Sequence, residues 1–274
     1  MKAGLYLRNM GPQSERALLL ACARAAEAAG IDDLWVADHV AIPPDDAEGS
    51  GGRYLDPLAT LAFLAGATER IGLGTGVLVL PYRPPLATAK WVATIQELSA
   101  GRLRLGVGAG WMAAEFRALG VPREQRGRIT DATLAFLHDC FAYDQVEANG
   151  QRFLFLPRPE RPPILVGGAP PHALRRAVEH GDGWMPTGGD VARLAPAVEE
   201  LRRRAAAAGK PEPAVVLVTS LPLDDEQRAA DRVDELASIG VTGVVHGWRY
   251  RSVDEFAAVA GTLARIVQRR RGTR

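Results

Sequence analysis

The chain of 274 residues has few cysteines and almost no net charge. Cys22 and Cys140 lie far apart in helix-like segments and form no CxxC pair or other metal-ligand spacing. This argues against a disulfide scaffold and against a structural zinc site. The 33 basic and 32 acidic residues give a formal charge of +1. Because no overall field attracts the chain to a polyanion, we expect no nucleic-acid partner.

Long apolar runs are also missing. No uncharged apolar span reaches the roughly 18 residues of a membrane helix, and the first apolar stretch meets Asn9 and Pro12 before it reaches the length of a signal peptide. We therefore expect a cytoplasmic protein with no membrane partner. The Arg-rich end, residues 269–274, is expected to be a solvated tail.

What the chain does contain is a regular alternation of short apolar runs and helical segments. Such runs are typical of parallel strands that are buried on both faces. The predicted strands lie at residues 3–8, 34–37, 71–80, from 102 onward, 164–168, 183–187, 214–220 and 241–246. Ser14 is the expected N-cap of the first helix and Gly30 its end, while Asp56 and Pro57 begin the second.

Eight strand–helix units of this kind predict an α/β fold, a closed (β/α)8 TIM barrel. We expect one domain over residues 1–274, with insertions at about 40–55 and 144–160. Asn149-Gly150 predicts a hairpin turn in the second insertion. An open doubly wound sheet is disfavoured, because no GxGxxG follows the first strand.

Glycines recur with a period of two in two neighbouring predicted strands. They are Gly72, Gly74 and Gly76, followed by Gly106, Gly108 and Gly110. Residues two apart lie on one face of a strand, so each set leaves one face bare. Two interpretations remain open: a cavity for a flat ring system, or helices that pack closely from outside the sheet. Whether the glycines or Val107, Ala109 and Trp111 would face a ring is also open.

Functional groups of such barrels lie at the carboxyl ends of the strands. The candidates at these ends are Asn9, Asp38, His39, Gly76, Val77, Gly110, Trp111, Gly167, Gly168, Thr187, Gly188, Gly189, Ser220, His246 and Trp248. His39 is best suited to give or accept a proton, and a structural histidine that anchors its loop is the alternative. Because strand neighbours point to opposite faces, one of Asp38 and His39 should face inward.

Two glycine pairs precede helix starts, at 167–168 and 188–189. Free backbone N–H groups and a helix dipole suit phosphate, whereas an ordinary strand-to-helix turn is the alternative interpretation. Tyr82-Arg83 and Arg104 are possible anion partners, with Arg104 expected near the barrel floor. Ser220 lacks the glycines of a GxSxG elbow, and no HExxH or carboxylate cluster predicts a metal site.

The order of several motifs resembles the luciferase-like monooxygenase superfamily, and within it the coenzyme F420-dependent oxidoreductases. The motifs are LWVADHV at 34–40, GTGVL at 74–78, PLATAK at 85–90, LSAGRL at 98–103, GVGAGW at 106–111 with Glu115-Phe116, LGVP at 119–122 with RGR at 126–128, PILVGG at 163–168 and GDGW at 181–184. Each motif alone is weak, and their order makes the resemblance specific.

The resemblance implies a barrel that binds coenzyme F420, a 5-deazaflavin, or alternatively FMN, with the ring near the third and fourth strands. It also implies a non-proline cis peptide at Gly76–Val77, a phosphate loop at residues 167–168 and a catalytic role for His39. The cofactor-binding residues that it implies are Asp38, His39, Gly76, Val77, Gly108, Ala109, Gly110, Trp111, Gly167 and Gly168.

The implied reaction is hydride transfer between C5 of the deazaflavin and a small organic substrate, with no metal. An FMN-dependent monooxygenase, a non-catalytic deazaflavin carrier and, more remotely, a metal-dependent barrel hydrolase are the alternatives. Some sugar-phosphate dehydrogenases of the family carry a catalytic Glu where this chain has Trp111, so sugar-phosphate oxidation is in doubt and Trp111 is expected to form a pocket wall. Family members commonly dimerise, so we expect a homodimer.

Overall fold

The computed structural model describes residues 1–47 and 49–272, and strands dominate its centre. The strands are β1 (Lys2–Tyr6), β2 (Asp33–Val36), β3 (Gly72–Val79), β4 (Leu103–Gly108), β5 (Gln145–Ala148), β6 (Gln151–Leu154), β7 (Ile164–Gly167), β8 (Gly183–Met185), β9 (Ala214–Thr219) and β10 (Gly243–His246). Within the described residues, all but β5 and β6 close into one barrel in the order β1-β10-β9-β8-β7-β4-β3-β2. Each neighbouring pair in the barrel is parallel. The predicted (β/α)8 barrel is confirmed.

Helices connect successive barrel strands and cover the outside of the barrel. They are α1 (Arg16–Ala29), α2 (Pro57–Ala65), α3 (Pro85–Leu98), α4 (Ala113–Ala118), α5 (Arg126–Ala142), α6 (His172–His180), α7 (Val191–Ala207), α8 (Glu226–Ser238) and α9 (Val253–Gly272). The insertion at 144–160 contains the antiparallel hairpin β5–β6. Its turn residues Asn149 and Gly150 both have positive φ, as a tight hairpin requires.

Local sequence signals explain most of the helix ends. Gly30 adopts the left-handed conformation at the end of α1, and the Asp56 side chain accepts a hydrogen bond from the third residue after it. The prediction for Ser14 is wrong, because α1 begins two residues later. The Ser14 hydroxyl instead donates to the Gly11 carbonyl and accepts a bond from Arg53. A local turn therefore competes successfully for this side chain.

The main core lies between the outward faces of the strands and the helices. Leu5, Leu34 and Leu73 are fully buried there. Cys22 and Cys140 are buried free thiols, and burial raises the pKa of Cys22 to about 12 and that of Cys140 to about 11. A raised pKa disfavours the reactive thiolate, so both residues are core thiols of low reactivity.

The Arg-rich end is exposed to solvent, as predicted, with 72% of the Arg269 side chain accessible, but its described part is helical rather than a free tail. The helix α9 continues through Gly272, while residues 273–274 lie outside the described residues. Arg271 donates to the Asp32 carboxylate and to the Met1 carbonyl. These contacts hold the end of the chain against the start of the barrel.

The periodic glycines face the interior of the barrel, so the alternative in which helices pack on them from outside is wrong. A Cβ on Gly74 would lie 2.3 Å from the Trp35 ring, and one on Gly106 would lie 2.0 Å from the Thr75 carbonyl oxygen. Val107 is buried in the main core instead. The lower glycines therefore make room for protein atoms, and only the upper ones are left to border a ligand. Among the described residues, no helix combines the length and apolar composition needed to cross a membrane.

Candidate active site

A cavity of about 600 Å³ opens at the carboxyl ends of the barrel strands. Its volume is within the range usual for small-molecule sites. It brings together all the residues for which the sequence implied cofactor contact, which are Asp38, His39, Gly76, Val77, Gly108, Ala109, Gly110, Trp111, Gly167 and Gly168. Tyr6, Tyr82, Glu124, Arg126, His172 and Arg176 also line it. The sequence had not indicated cofactor contact for these six residues.

The floor of this cavity is built around Val77. The peptide Gly76–Val77 is cis, as the resemblance implied, and it lies in a register shift of β3 against β4. A Cβ on Gly108 would lie 2.7 Å from one Val77 methyl group, and a Cβ on Gly167 would lie 2.8 Å from the other. Glycine is therefore needed on both flanking strands because the Val77 side chain occupies the space. Gly106 and Gly108 face the interior and Val107 faces the main core, while Ala109, Gly110 and Trp111 also line the cavity.

His39 follows β2 and stands at the edge of the cavity, with 20% of its side chain exposed. Its Nδ1 lies 2.9 Å from Oε2 of Glu115, a residue of α4. The rings of Tyr54 and Trp111 flank it edge-on, with centroid distances of 4.9 and 6.2 Å. A carboxylate and two aromatic rings thus limit the orientations that the imidazole can adopt.

Glu115 is completely buried, and its carboxylate gathers several donors. Besides His39, the backbone N–H groups of Val40 and Ala41 donate to Oε1, and the Tyr82 hydroxyl donates to Oε2. Burial alone would raise the pKa of this carboxyl, but these hydrogen bonds together hold it below its ordinary value. Glu115 is therefore ionised at neutral pH.

This carboxylate determines the hydrogen-bonding role of each nitrogen of His39. Because ionised Glu115 can only accept, Nδ1 carries the proton that the two residues share. Nε2 is then the acceptor in the neutral ring, and it has no hydrogen-bond partner among the described residues. Burial and the adjacent Glu115 raise the pKa of Tyr82, so the phenol remains a donor. The arrangement leaves one histidine nitrogen available to a bound molecule.

Asp38 borders the same cavity, but its carboxylate is engaged by protein groups. Oδ2 lies 2.8 Å from the Val79 backbone nitrogen and 2.7 Å from Nη1 of Arg83, while Oδ1 lies 2.9 Å from Nη2. The same guanidinium bonds Asp56 at 2.7 Å. Burial alone would lower the pKa of Arg83, but its bonds to Asp38 and Asp56 raise it. Arg83, a possible anion partner by sequence, is therefore occupied by two carboxylates.

The opposite end of the cavity is formed by Gly167 and Gly168. Trp184 donates to the Gly168 carbonyl at 2.9 Å, which fixes the turn. Pro170 and Pro171 follow and carry no N–H group, so the start of α6 offers fewer backbone donors than the sequence interpretation assumed. The backbone N–H groups at this end of the cavity are therefore not sufficient to bind an anion.

Basic side chains supply the positive charge at this end. Arg126 and Arg176 line the cavity beside the glycines, together with His172 and the acidic Glu124. Nε of Arg176 lies 2.6 Å from Asp131, a bond that holds the guanidinium in place. The combination of a glycine turn and cationic side chains is suited to a phosphate group.

The glycine pair at 188–189 has a different environment. The Gly188 N–H already donates to the Val218 carbonyl at 3.0 Å. The Asp190 carboxylate caps α7 by accepting from the Ala192 N–H. Because a carboxylate occupies the helix start, this pair is an ordinary strand-to-helix turn.

Other candidates at the rim have structural partners. The Asn9 amide bonds backbone groups of two neighbouring segments, and the Ser220 hydroxyl donates to a backbone carbonyl. His246 is buried and accepts a backbone N–H through Nδ1, and burial lowers its pKa to about 4. Within residues 1–47 and 49–272, no group of three His, Cys, Asp or Glu side chains could hold a metal. Arg104 lies at the barrel floor, as expected.

Sequence reasoning had not given Glu115 a role. The residue appeared only as part of a motif, four positions after Trp111, and its distance from His39 along the chain concealed their contact. A fully buried carboxylate needs partners. The sequence feature that could have indicated a role for Glu115 is its position on a short, apolar helix after the fourth strand.

Comparison with known proteins decides the family. A family model described as luciferase-like monooxygenase matches residues 7–273. The chain belongs to the luciferase-like monooxygenase family. An F420-dependent glucose-6-phosphate dehydrogenase of Beutenbergia cavernae is 34% identical over 183 residues, which cover 62% of this chain and 52% of that relative.

Solved structures of this luciferase-like fold include proteins with either type of cofactor. An F420-dependent secondary alcohol dehydrogenase in complex with an F420-acetone adduct has a TM-score of 0.81 and 16% identity, with 97% of this chain and 98% of that chain covered. The oxygenating constituent of 3,6-diketocamphane monooxygenase from Pseudomonas putida, in complex with FMN, has a TM-score of 0.77 and 14% identity, with 96% of each chain covered. At these identities the likeness concerns the fold. Proteins with a deazaflavin and proteins with FMN therefore share the fold of this chain.

Proposed function

We propose that this luciferase-like protein is an oxidoreductase that transfers a hydride between coenzyme F420 and a small organic substrate. The observation that carries the proposal is the pair His39–Glu115. An ionised, fully buried carboxylate holds Nδ1, and Nε2 remains available at the edge of the cavity. Proton transfer must accompany hydride transfer to or from an oxygen-bearing carbon, and an oriented histidine is suited to it.

The cavity floor fits a flat ring system. Gly76 and Gly108 present backbone rather than side chains there, and Val77 rises between the strands. A bound deazaflavin would itself carry the hydride, and it does not readily activate oxygen. Gly167 and Gly168 would hold its phosphate with the help of Arg126 and Arg176. We assign Asp38 to positioning, because its carboxylate ties the end of β2 to Val79 and Arg83.

His39 would handle the substrate proton. When a hydroxyl group is oxidised, Nε2 would accept the hydroxyl proton while the carbon gives its hydride to the bound cofactor. In the reverse direction, the protonated imidazole returns a proton to the carbonyl oxygen. Glu115 stabilises the cationic ring in both directions through Nδ1.

The walls near His39 favour a substrate with little charge. Trp111 lines the cavity with 67% of its surface accessible, and Tyr54 lies edge-on to the imidazole. Trp111 occupies the position where the resemblance places a Glu in sugar-phosphate dehydrogenases. We therefore expect alcohols, ketones or enones rather than sugar phosphates as substrates.

The test is turnover by purified protein with coenzyme F420 and a panel of secondary alcohols, ketones, enones, quinones and nitro compounds. His39→Asn should lower kcat by about 10²–10⁴-fold on any substrate found. His138→Asn, on α5 and outside the cavity lining, is the matched control and should retain activity. Unchanged turnover in His39→Asn would remove this residue from the mechanism.

The FMN-bound neighbour supports a second candidate, an FMN-dependent monooxygenase. Tight FMN binding with oxygen consumption would favour it. Saturable F420 binding without turnover across the whole panel would favour a carrier. We further propose that residues 1–274 form one luciferase-like domain. A homodimer and a cytoplasmic location remain predictions.

A further inference from the structure

A second cavity, of about 620 Å³, lies at the opposite end of the barrel from the candidate active site. Barrels of this type normally fill their interior with layers of bulky side chains. Here glycine occupies inward positions on several strands, including Gly4, Gly74 and Gly183, whose missing side chains would meet other barrel atoms. Trp35 and a few neighbours are left to fill the centre. Trp35 occupies the space beside Gly4 and Gly74, and the cavity below it shows that these side chains leave part of the lower interior open.

The inner wall of this floor cavity is apolar. Trp35, Leu165 and Val216 line it, and Trp35 and Leu165 are almost fully buried. Gly74 on β3 is paired with Trp35 on β2 and with Arg104 on β4. The side chains of Trp35 and Arg104 therefore face the barrel interior at the same level along the barrel axis. An apolar surface thus lies directly beside a guanidinium group.

Two residues of the cavity lining, Trp35 and Arg202, each carry a buried side-chain nitrogen without a hydrogen-bond partner among the described residues. Trp35 is 2% exposed, and its Nε1 has no hydrogen-bond partner among the described residues. Nε of Arg202 is also buried without an acceptor. An unpaired buried polar group is costly and needs an explanation. Both of these atoms are donors, so the groups that would complete them are acceptors.

The charges at the cavity favour an anion. Its lining contains four basic side chains and two acidic ones, Asp33 and Glu212. Glu212 pairs with Arg202 at 2.5 Å, and Asp33 lies 3.4 Å from Nε of Arg104. Each acidic group of the lining is thus matched by an arginine, and Arg270 pairs with Asp234 outside the lining, so the basic group in excess is Lys2. Arginine is well suited to carboxylate recognition.

We propose that the floor cavity is a binding site for a small organic carboxylate. The apolar part of the ligand packs on Trp35, Leu165 and Val216. Its oxygens accept hydrogen bonds from the unsatisfied donors and pair with Arg104 or Arg202. This site is separate from the candidate active site and does not depend on the proposed function.

Isothermal titration of the full chain tests the proposal, with hexanoate and benzoate as probes and hexanamide and benzamide as their neutral counterparts. We expect saturable one-to-one binding of at least one carboxylate and an affinity at least about tenfold lower for its amide, because a charge-assisted bond is lost. Absence of saturable binding by both carboxylates would overturn the proposal. Equal binding of acid and amide would do the same.

Variants locate the site. Arg104→Met and Arg202→Met should each weaken carboxylate binding at least about fivefold. Arg203→Met is the matched control, since this neighbour of Arg202 is 69% exposed and pairs with Glu200. Val216→Phe should abolish binding by filling the cavity while every charge is retained. Thermal unfolding confirms that each variant is folded. Carboxylate binding that is unchanged in the folded arginine variants would contradict the assignment.

Discussion

Glu115 controls the environment of His39 through a single carboxylate. Its carboxylate accepts hydrogen bonds from Nδ1 of His39 and from the backbone N–H groups of Val40 and Ala41. The orientation of the ring and the path of the loop after β2 therefore depend on one side chain. Because the group is buried and ionised, its replacement changes both charge and hydrogen bonding. It is a positioning residue, since its contacts are with protein groups.

Glu115→Gln should therefore affect chemistry more than cofactor affinity. We expect kcat to fall by about 10–100-fold, a size typical when a group that orients a functional side chain is lost. The free energy of unfolding should fall by about 1–3 kcal/mol. Nitrogen NMR of the imidazole should show a shift away from the Nδ1–H tautomer, which a merely structural role would not produce. Glu97→Gln, on the exposed surface of α3, is the control.

His246 predicts a specific dependence of stability on pH. Burial lowers its pKa from the ordinary value of 6.5 to about 4, so the folded protein keeps the ring neutral while the unfolded chain protonates it. Below about pH 6.5 the unfolded state binds more protons, and stability falls until about pH 4. The loss attributable to this residue should reach about 3 kcal/mol.

Urea unfolding between pH 4 and pH 7 measures this effect. His246→Asn should flatten the pH dependence relative to the parent chain, because asparagine does not titrate. His172→Asn, which removes an exposed histidine, is the matched control for the substitution itself. Equal slopes in the parent and His246→Asn would show that burial does not suppress this titration.

At the level of elements, the ion pair Asp38–Arg83 joins the end of β2 to the segment after β3. Asp38 is fully buried, whereas Asp56, the second partner of Arg83, is 44% exposed. Breaking a buried pair by removal of one charge leaves the other uncompensated. Loss of an exposed pair has little effect.

The two asparagine variants test this difference. Asp38→Asn should lower the free energy of unfolding by about 3 kcal/mol. Asp56→Asn should lower it by less than about 1 kcal/mol, because asparagine also caps helices well and solvent screens the lost pair. Chemical denaturation measures both. Similar losses in the two variants would contradict the assigned burial of Asp38.

The glycine on β4 beside Val77 tests the cavity floor. Gly108→Ala places a methyl group within 2.7 Å of Val77, so that side chain must move toward the ring site. We expect stability to fall by about 1–3 kcal/mol, and the affinity for the bound cofactor to fall at least about tenfold. Gly66→Ala is the control, since its added carbon would meet only ordinary contacts. An unchanged cofactor affinity would place the ring elsewhere.

Strands, helices and the hairpin were predictable because each depends on local patterns. Apolar runs, Gly30, Asp56 and Asn149-Gly150 all act within a few residues of chain. The contact between His39 and Glu115 spans 76 positions and arises only when the barrel closes. Ser14 does not cap α1 because its hydroxyl accepts a hydrogen bond from Arg53, a residue distant in sequence. Local sequence patterns therefore could not predict which distant residues become the hydrogen-bond partners of these polar groups.

On the scale of the whole molecule, the barrel interior separates two cavities with different chemistry. Trp35 contributes to the floor cavity, and its Cβ lies 3.7 Å from the position of a Cβ on Gly76, which lines the upper cavity. A thin layer containing Trp35, Leu165, Met185 and Val245 divides them. The upper cavity combines a bare ring surface, an oriented histidine and basic side chains. These features together are the basis for proposing a deazaflavin oxidoreductase.

Titration of the purified full chain with coenzyme F420 and, separately, with FMN tests this assignment most directly. Each chromophore has its own visible band, so binding is followed by absorbance and by fluorescence. Saturable one-to-one binding of coenzyme F420, weakened in Gly108→Ala and accompanied by no tight binding of FMN, is the predicted result. Tight binding of FMN with no binding of coenzyme F420 would contradict the central claim.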